Sequence, residues 1–207
     1  MAHAVSASKH KSILDAALNV FLEKGYLGTS MDEIAAKAGV SKQTVYKHFA
    51  DKDRLFADIL LATTGEVEQL VRWTIGEFDS DKRVELILDR LAQRFLGVLM
   101  EPRLLRLRRL VIANADRFPE LGRSWYEAGF ERVLATLADC FNTLKTAGIL
   151  RVDDPALASQ HFVGMLLWIP LNKAMFTGNE RPFTDAELRR QAKAATSVFL
   201  RAYGTTS

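Results

Sequence analysis

Apolar residues recur at intervals of three and four along most of the chain, and no segment outside the short helices around Gly39 alternates with period two, so the pattern predicts helices from end to end. Ile13, Leu14, Ala17, Leu18, Phe21 and Leu22 mark a first amphipathic helix that stops near Gly25. Two short helices are then expected on either side of Gly39. Ser30 and Glu33 stand as a capping box, in which the hydroxyl takes an orphan amide of the first turn and the carboxylate reaches back to the cap, so a helix starts at about Met31. Ile34, Ala35 and Ala38 give it a narrow buried stripe, and Gly39 takes the positive φ needed just past its last turn. Ser41 is the next N-cap. Val40 before it and Val45 inside the helix that begins at Lys42 form a hydrophobic staple. Val45 and Phe49 face inward, which leaves Lys42, Gln43, Thr44, Tyr46 and Lys47 on the outer arc.

Longer helices are expected over 51–76, 82–100, 102–116, 119–147, 155–177 and 184–203. Asp51 caps the first of these, Asp154 with Pro155 opens the fifth, Gly178 stops it, and Thr184 with Glu187 makes a second capping box. The fold class is therefore all-α: a three-helix N-terminal unit preceded by a frayed arm over residues 1–8, the two together spanning residues 1–52, and a C-terminal helical bundle over residues 53–207. On the final helix Leu188, Ala192, Ala195, Val198, Phe199 and Ala202 share one side, and its small alanines favour close pairing with another helix.

Two short helices hinged at a glycine, the second with a donor-rich outer face, suit the major groove of DNA, where residues at the start of the helix reach base edges and flanking donors hold phosphates. Lys42, Gln43 and Thr44 open the helix and fit base reading; Tyr46, His48 and Lys52 fit phosphates. Lys52 also lies in the first turn of its helix, beside free backbone amides. Charge adds little to this: the net charge is +3 and acidic and basic residues nearly balance through Arg54. Cys140 is the single cysteine, so no intrachain disulfide forms, and it reads as a buried, inert thiol. With no secretory signal and no apolar run longer than Phe162–Leu171, which contains Pro170, the expected setting is the cytoplasm and not a membrane.

The order Thr-Ser-Met-Asp-Glu-Ile-Ala from Thr29, Gly-Val-Ser from Gly39, Thr-Val-Tyr-Lys-His-Phe from Thr44 and Asp-Lys-Asp-Arg-Leu-Phe from Asp51 resembles the tetracycline-repressor (TetR/AcrR) family across about residues 9–60. The stretch from Arg106 to Tyr126 is similar to the AefR-like subgroup. The resemblance implies a ligand-responsive transcriptional regulator, a repressor before an activator, whose N-terminal domain binds double-stranded operator DNA. It implies a DNA surface of Thr29, Ser30, Ser41, Lys42, Gln43, Thr44, Tyr46, Lys47, His48 and Lys52. It further implies a homodimer through residues 155–177 and 184–203, whose twofold axis matches a pseudo-palindrome with half-sites about 34–36 Å apart.

The C-terminal half is rich in large apolar groups. Most are core, but Trp73, Phe95, Leu99, Leu104, Ile112, Trp125, Phe130, Met165 and Trp168 are candidates for the lining of an apolar or aromatic effector site. Arg108 joins them because it falls inside the apolar stripe of Leu104, Leu107, Val111 and Ile112, opposite Arg103, Arg106 and Arg109. Its buried cation needs either a protein carboxylate or an anionic or carbonyl group of an effector. The helix from Lys52 to Trp73 is expected to join the DNA end to the core, with Gly65 as a weak point. His161 lies near Asp153 and Asp154 but without a ligand cluster, so it is read as a hydrogen-bonded interface histidine; no metal or cofactor is expected. No phosphate loop, H-E-x-x-H, paired cysteines or G-x-S-x-G is present, so an enzyme acting through Arg108 and His161 has little support. The alternative is a helical dimer that binds a small molecule without sequence-specific DNA binding.

Overall fold

A computed structural model of the protein describes residues 2–76 and 83–205, and its elements are helical. Among the described residues the α-helices are α1 (Ala2–Lys24), α2 (Met31–Ala38), α3 (Lys42–His48), α4 (Lys52–Gly76), α5 (Val84–Leu99), α6 (Pro102–Asn114), α7 (Pro119–Trp125), α8 (Arg132–Thr146), α9 (Pro155–Phe176) and α10 (Asp185–Tyr203). Residue 82, the expected start of α5, lies outside the described residues, as does Met1 of the expected arm. From Ala2 onward that arm is instead the opening of α1: no proline or glycine interrupts Ala2–Lys24, so nothing in the chain stops the helix from extending. The helix expected over 119–147 is broken by a π-helical turn at Tyr126–Glu131.

The chain divides into two compact units, one gathering residues up to 63 with 106–129, the other gathering 64–105 with residues from 130 on. The first is larger than the segment up to residue 52. Leu107 and Val111 of α6 and Leu121 of α7 join Ile13, Phe21, Ile34, Val45, Phe49 and Phe56 in one buried cluster. Its centre is aromatic. Phe21 stacks on Tyr26 at 5.6 Å between ring centroids, and Phe56 meets both edge-on at 5.0 and 5.3 Å. The Tyr26 hydroxyl donates to the Asp53 carboxylate, and burial together with that carboxylate pushes the phenol well above its usual range.

In the second unit α5 lies along α10 and α8 along α9. Phe141, Phe162 and Phe199 converge there, with centroids 4.9–5.7 Å apart. Ala192, Ala195 and Phe199 of α10 face into this core, so the close approach that the alanines permit is made within the chain, while Val198 points outward. Beyond α10, the Arg151 amide donates to the Tyr203 carbonyl at 2.7 Å and the Thr205 amide to the Ile149 carbonyl at 3.2 Å, which ties the end of α10 to the α8–α9 turn. Cys140 is half-buried, and burial pushes its thiol up despite the opposing charge of Arg72. Helix α9 is apolar on two faces. Phe162, Val163, Leu166, Leu167 and Ala174 are buried, while Leu157, Trp168, Ile169 and Phe176 are exposed along a single stripe.

Candidate nucleic-acid interface

Helices α2 and α3 are built by the caps read from the chain. The Glu33 amide donates to the Ser30 hydroxyl at 3.3 Å and the Ser30 amide to the Glu33 carboxylate at 3.1 Å. Lys24 and the Ser30 amide hold the Glu33 carboxyl below its ordinary pKa. Gly39 has φ 66° and ends α2, its amide and that of Val40 returning to the carbonyls of Ala36 and Ala35. Ser41 then caps α3 by accepting the Thr44 amide at 3.2 Å. Val45 and Phe49 are buried in the cluster below, which fixes the roll of α3 and turns Lys42, Gln43, Tyr46 and Lys47 outward.

These outward residues differ in how free they are. Lys42 sits on the Asp32 carboxylate at 2.7 Å, which raises its pKa and leaves it a cation that must be drawn off a partner. Gln43, Tyr46 and Lys47 are exposed, and Lys47 has no ion-pair partner among the described residues. Thr44 is half-buried beside Ser41, their hydroxyls 2.8 Å apart.

Two expected members are placed elsewhere. Thr29 is buried and its hydroxyl donates to the Gly25 carbonyl at 2.7 Å, so the side chain does not share the outer face; after the glycine stop of α1, that carbonyl is an orphan which Thr29 satisfies. Lys52 is half-buried, and its ammonium donates to the carbonyls of Tyr26 and Thr29 at 3.0 and 3.1 Å over the Tyr26 ring. It clamps the α1–α2 turn. We therefore expect Lys52→Met to lower folding stability by about 1.5–3 kcal/mol in urea titration, because two carbonyls lose a charged donor. Lys47→Met, at an exposed and unpaired position, stays within about 0.5 kcal/mol.

His48 closes α3. Its ring lies 5.7 Å from that of His10, which stacks on Phe49 at 4.8 Å. Burial, then His10, Lys47 and Lys9, push its pKa below the ordinary value of 6.5. The unfolded chain thus binds this proton more readily than the folded one. Stability from this group is fully present above about pH 6.5 and falls as pH drops through the lower folded pKa. Urea midpoints measured from pH 7.5 to pH 5 are expected to fall, and His48→Gln is expected to flatten part of that fall.

The candidate effector residues divide between the two units. Phe95, Leu99 and Leu104 are buried in the second unit. Trp73 is 78% exposed, against the expectation that it would stand at the core end of α4, and Trp168 is 70% exposed on the α9 stripe. Both are turned out because the neighbouring buried positions, Val71 and Thr74 on α4 and Leu166 and Leu167 on α9, already fill the inner faces. Ile112 is exposed, two residues from the end of α6, and Phe130 is exposed within the π turn. Met165 is half-buried, its carbonyl accepting from the Gln191 side chain at 2.7 Å. Arg108 is buried as the stripe requires, over the half-buried Trp125 ring at 5.6 Å. Of the two partners foreseen for it, no carboxylate pairs with it among the described residues. A cleft of about 270 Å³ in the second unit, between Gly97–Pro102 and Arg181–Leu188, escaped the sequence reading because loop residues with no periodic signal line much of it.

His161 Nδ1 lies 2.6 Å from the Tyr203 hydroxyl. Among the described residues no three His, Cys, Asp or Glu side chains gather as a metal site, and no helix is long and apolar enough to cross a membrane.

Residues 13–59 match the model for bacterial regulatory proteins of the tetR family, and residues 87–205 match that for the C-terminal domain of AefR-like transcriptional repressors. The chain is similar to the HTH-type transcriptional regulator YdeS of Bacillus subtilis, 44% identical over 26% of this chain and 27% of that protein. The match thus spans about a quarter of that curated relative. Among solved structures, a TetR-family transcriptional regulator from Mesorhizobium loti superposes with TM-score 0.89 at 50% identity, covering 97% of this chain and 98% of that one. The flavonoid-responsive regulator FrrA superposes with TM-score 0.74 at 27% identity, covering 97% and 100%.

Proposed function

The chain belongs to the TetR family of bacterial regulatory proteins, with an AefR-like C-terminal domain, and we propose that it is a cytoplasmic transcriptional repressor, not an enzyme. It binds a pseudo-palindromic operator as a homodimer and leaves it when an apolar or aromatic small molecule binds. The observation that carries this is the capped pair α2–α3, which turns Gln43, Tyr46 and Lys47 outward from a floor of Val45 and Phe49. Ser30, Ser41, Lys42 and Thr44 flank them. The N-terminal domain takes the DNA role, residues 53–207 that of effector binding and dimerisation. A helical dimer that merely sequesters a small molecule leaves those outward groups with no task.

The α9 stripe supports dimerisation. Leu157, Trp168, Ile169 and Phe176 form an uncovered apolar face on a helix already buried on its other side, and such faces mark association surfaces. Sedimentation at micromolar concentration is expected to give a dimer. Trp168→Glu, which sets a charge where a large aromatic should be buried, is expected to weaken it by about 100-fold.

The response of FrrA to flavonoids favours an aromatic body for the effector. Coupling requires the effector to prefer the conformation that does not bind DNA. Helix α4 contributes to both units, and the division between them falls beside Gly65. Selection of bound fragments from random duplexes tests the reading: enrichment of a palindrome, weakened by salt, is expected, and no enrichment at low ionic strength overturns it.

A further inference from the structure

Among the described residues Arg108 is the one charged side chain in the buried set, 8% exposed. Four of the five neutral polar residues in that set return their hydroxyls to a carbonyl nearby: Thr29 to Gly25, Thr74 to Leu70, Thr136 to Arg132 and Ser159 to Ala156. Arg108 has no such recourse. Its Nη1 is sealed from solvent without a hydrogen bond, and its contact is with the face of Trp125. Burial pushes the guanidinium down to about 10, and among the described residues no carboxylate pulls it back. A guanidinium left in apolar surroundings without a counterion is retained against its own solvation, which points to a partner that is not part of the chain.

The chemistry of that partner follows from the neighbours. A planar fork with five donors matches a carboxylate bidentately, and a single arginine supplies one unit of charge, too little for a phosphate dianion. Leu107 and Val111 flank Arg108 on α6, and Trp125 offers a ring face, so the rest of the ligand is apolar or aromatic. Directly after Trp125 comes the π turn at Tyr126–Glu131, a distortion frequent at functional sites. We propose that Arg108 and Trp125 form a recognition site for the carboxylate of an apolar or aromatic organic acid, which is the effector; this rests on the reading of the chain as a ligand-responsive regulator. The site has a direct line to the DNA-binding helices, because Leu107 and Val111 share one buried cluster with Ile34, Val45 and Phe49. A carboxylate that draws Arg108 out of register disturbs the floor beneath α3.

The test uses the full-length protein with benzoate, 1-naphthoate and decanoate, each beside its neutral amide, read by calorimetric titration and by thermal midpoint. At least one acid is expected to bind wild type about tenfold or more tighter than its amide, and Arg108→Met to bring that ratio to about one while amide binding is kept. Should Arg108→Met fold poorly, Arg108→Gln, polar but uncharged, carries the same expectation. No acid preferred over its amide by wild type, or a preference that survives both substitutions, overturns the proposal. Palindrome enrichment by the same preparation separates the two readings: enrichment without acid preference sinks the carboxylate site alone, and acid preference without enrichment sinks the regulator and leaves the site.

Discussion

Replacing Tyr46 and Lys47 together by alanine is expected to weaken binding to the selected operator by about 100-fold while leaving the urea midpoint nearly unchanged. Both side chains are exposed on α3, and neither takes part in the buried cluster that holds the helix in place. Loss of one groove contact costs about 1–3 kcal/mol, loss of a phosphate contact lowers the salt slope by about one, and a dimer suffers each loss twice. Fluorescence anisotropy on a labelled operator at three salt concentrations reads both quantities. Lys42→Ala is expected to cost less, because Asp32 already holds that ammonium in the free protein and DNA must compete for it. If the double variant keeps wild-type affinity and salt slope, α3 is not the reading helix.

Where the sequence was informative, it was so through hydrogen bonds closed within a few residues. The capping boxes at Ser30 and Thr184, the N-caps at Ser41 and Asp154 and the stop at Gly39 each depend on a spacing that the chain itself carries. The inward turn of Arg108 was legible for a related reason, since the helical period alone sets its face. Thr29 and Lys52 were harder. Both carry polar groups at the edge of the helix-turn-helix, and nothing local says that the hydroxyl and ammonium satisfy carbonyls left over where α1 ends. The exposure of Trp73 and Trp168 depends on which neighbours reach the core first, a tertiary matter that hydrophobicity does not record. Likewise the π turn inserts at Tyr126–Glu131 without a proline, so the periodicity on either side reads as one continuous helix.

Phe56→Ala is expected to destabilise the DNA-binding unit by about 3–5 kcal/mol, a large part of the ~5–15 kcal/mol that holds a typical domain together. Phe56 is wholly buried, and its ring meets Phe21 and Tyr26 edge-on at 5.0 and 5.3 Å. Deleting it removes the transfer energy of the ring, two aromatic contacts and the wedge between α1 and α4, while neighbours as large as Phe21 cannot close the space without leaving their own partners. The consequence reaches α3. Val45 and Phe49 rest in the same cluster, so a floor that loosens under them lets α3 rock, and operator affinity falls even at temperatures where the protein is still folded. Urea denaturation followed by the operator anisotropy measurement distinguishes this from the surface double variant. Phe56→Ala lowers both the denaturation midpoint and the affinity, whereas Tyr46→Ala with Lys47→Ala lowers the affinity alone. Phe56→Leu, which restores most of the volume, is expected to recover about half of the stability loss; a Phe56→Ala midpoint equal to wild type would mean that the aromatic cluster does not support the DNA-binding helices.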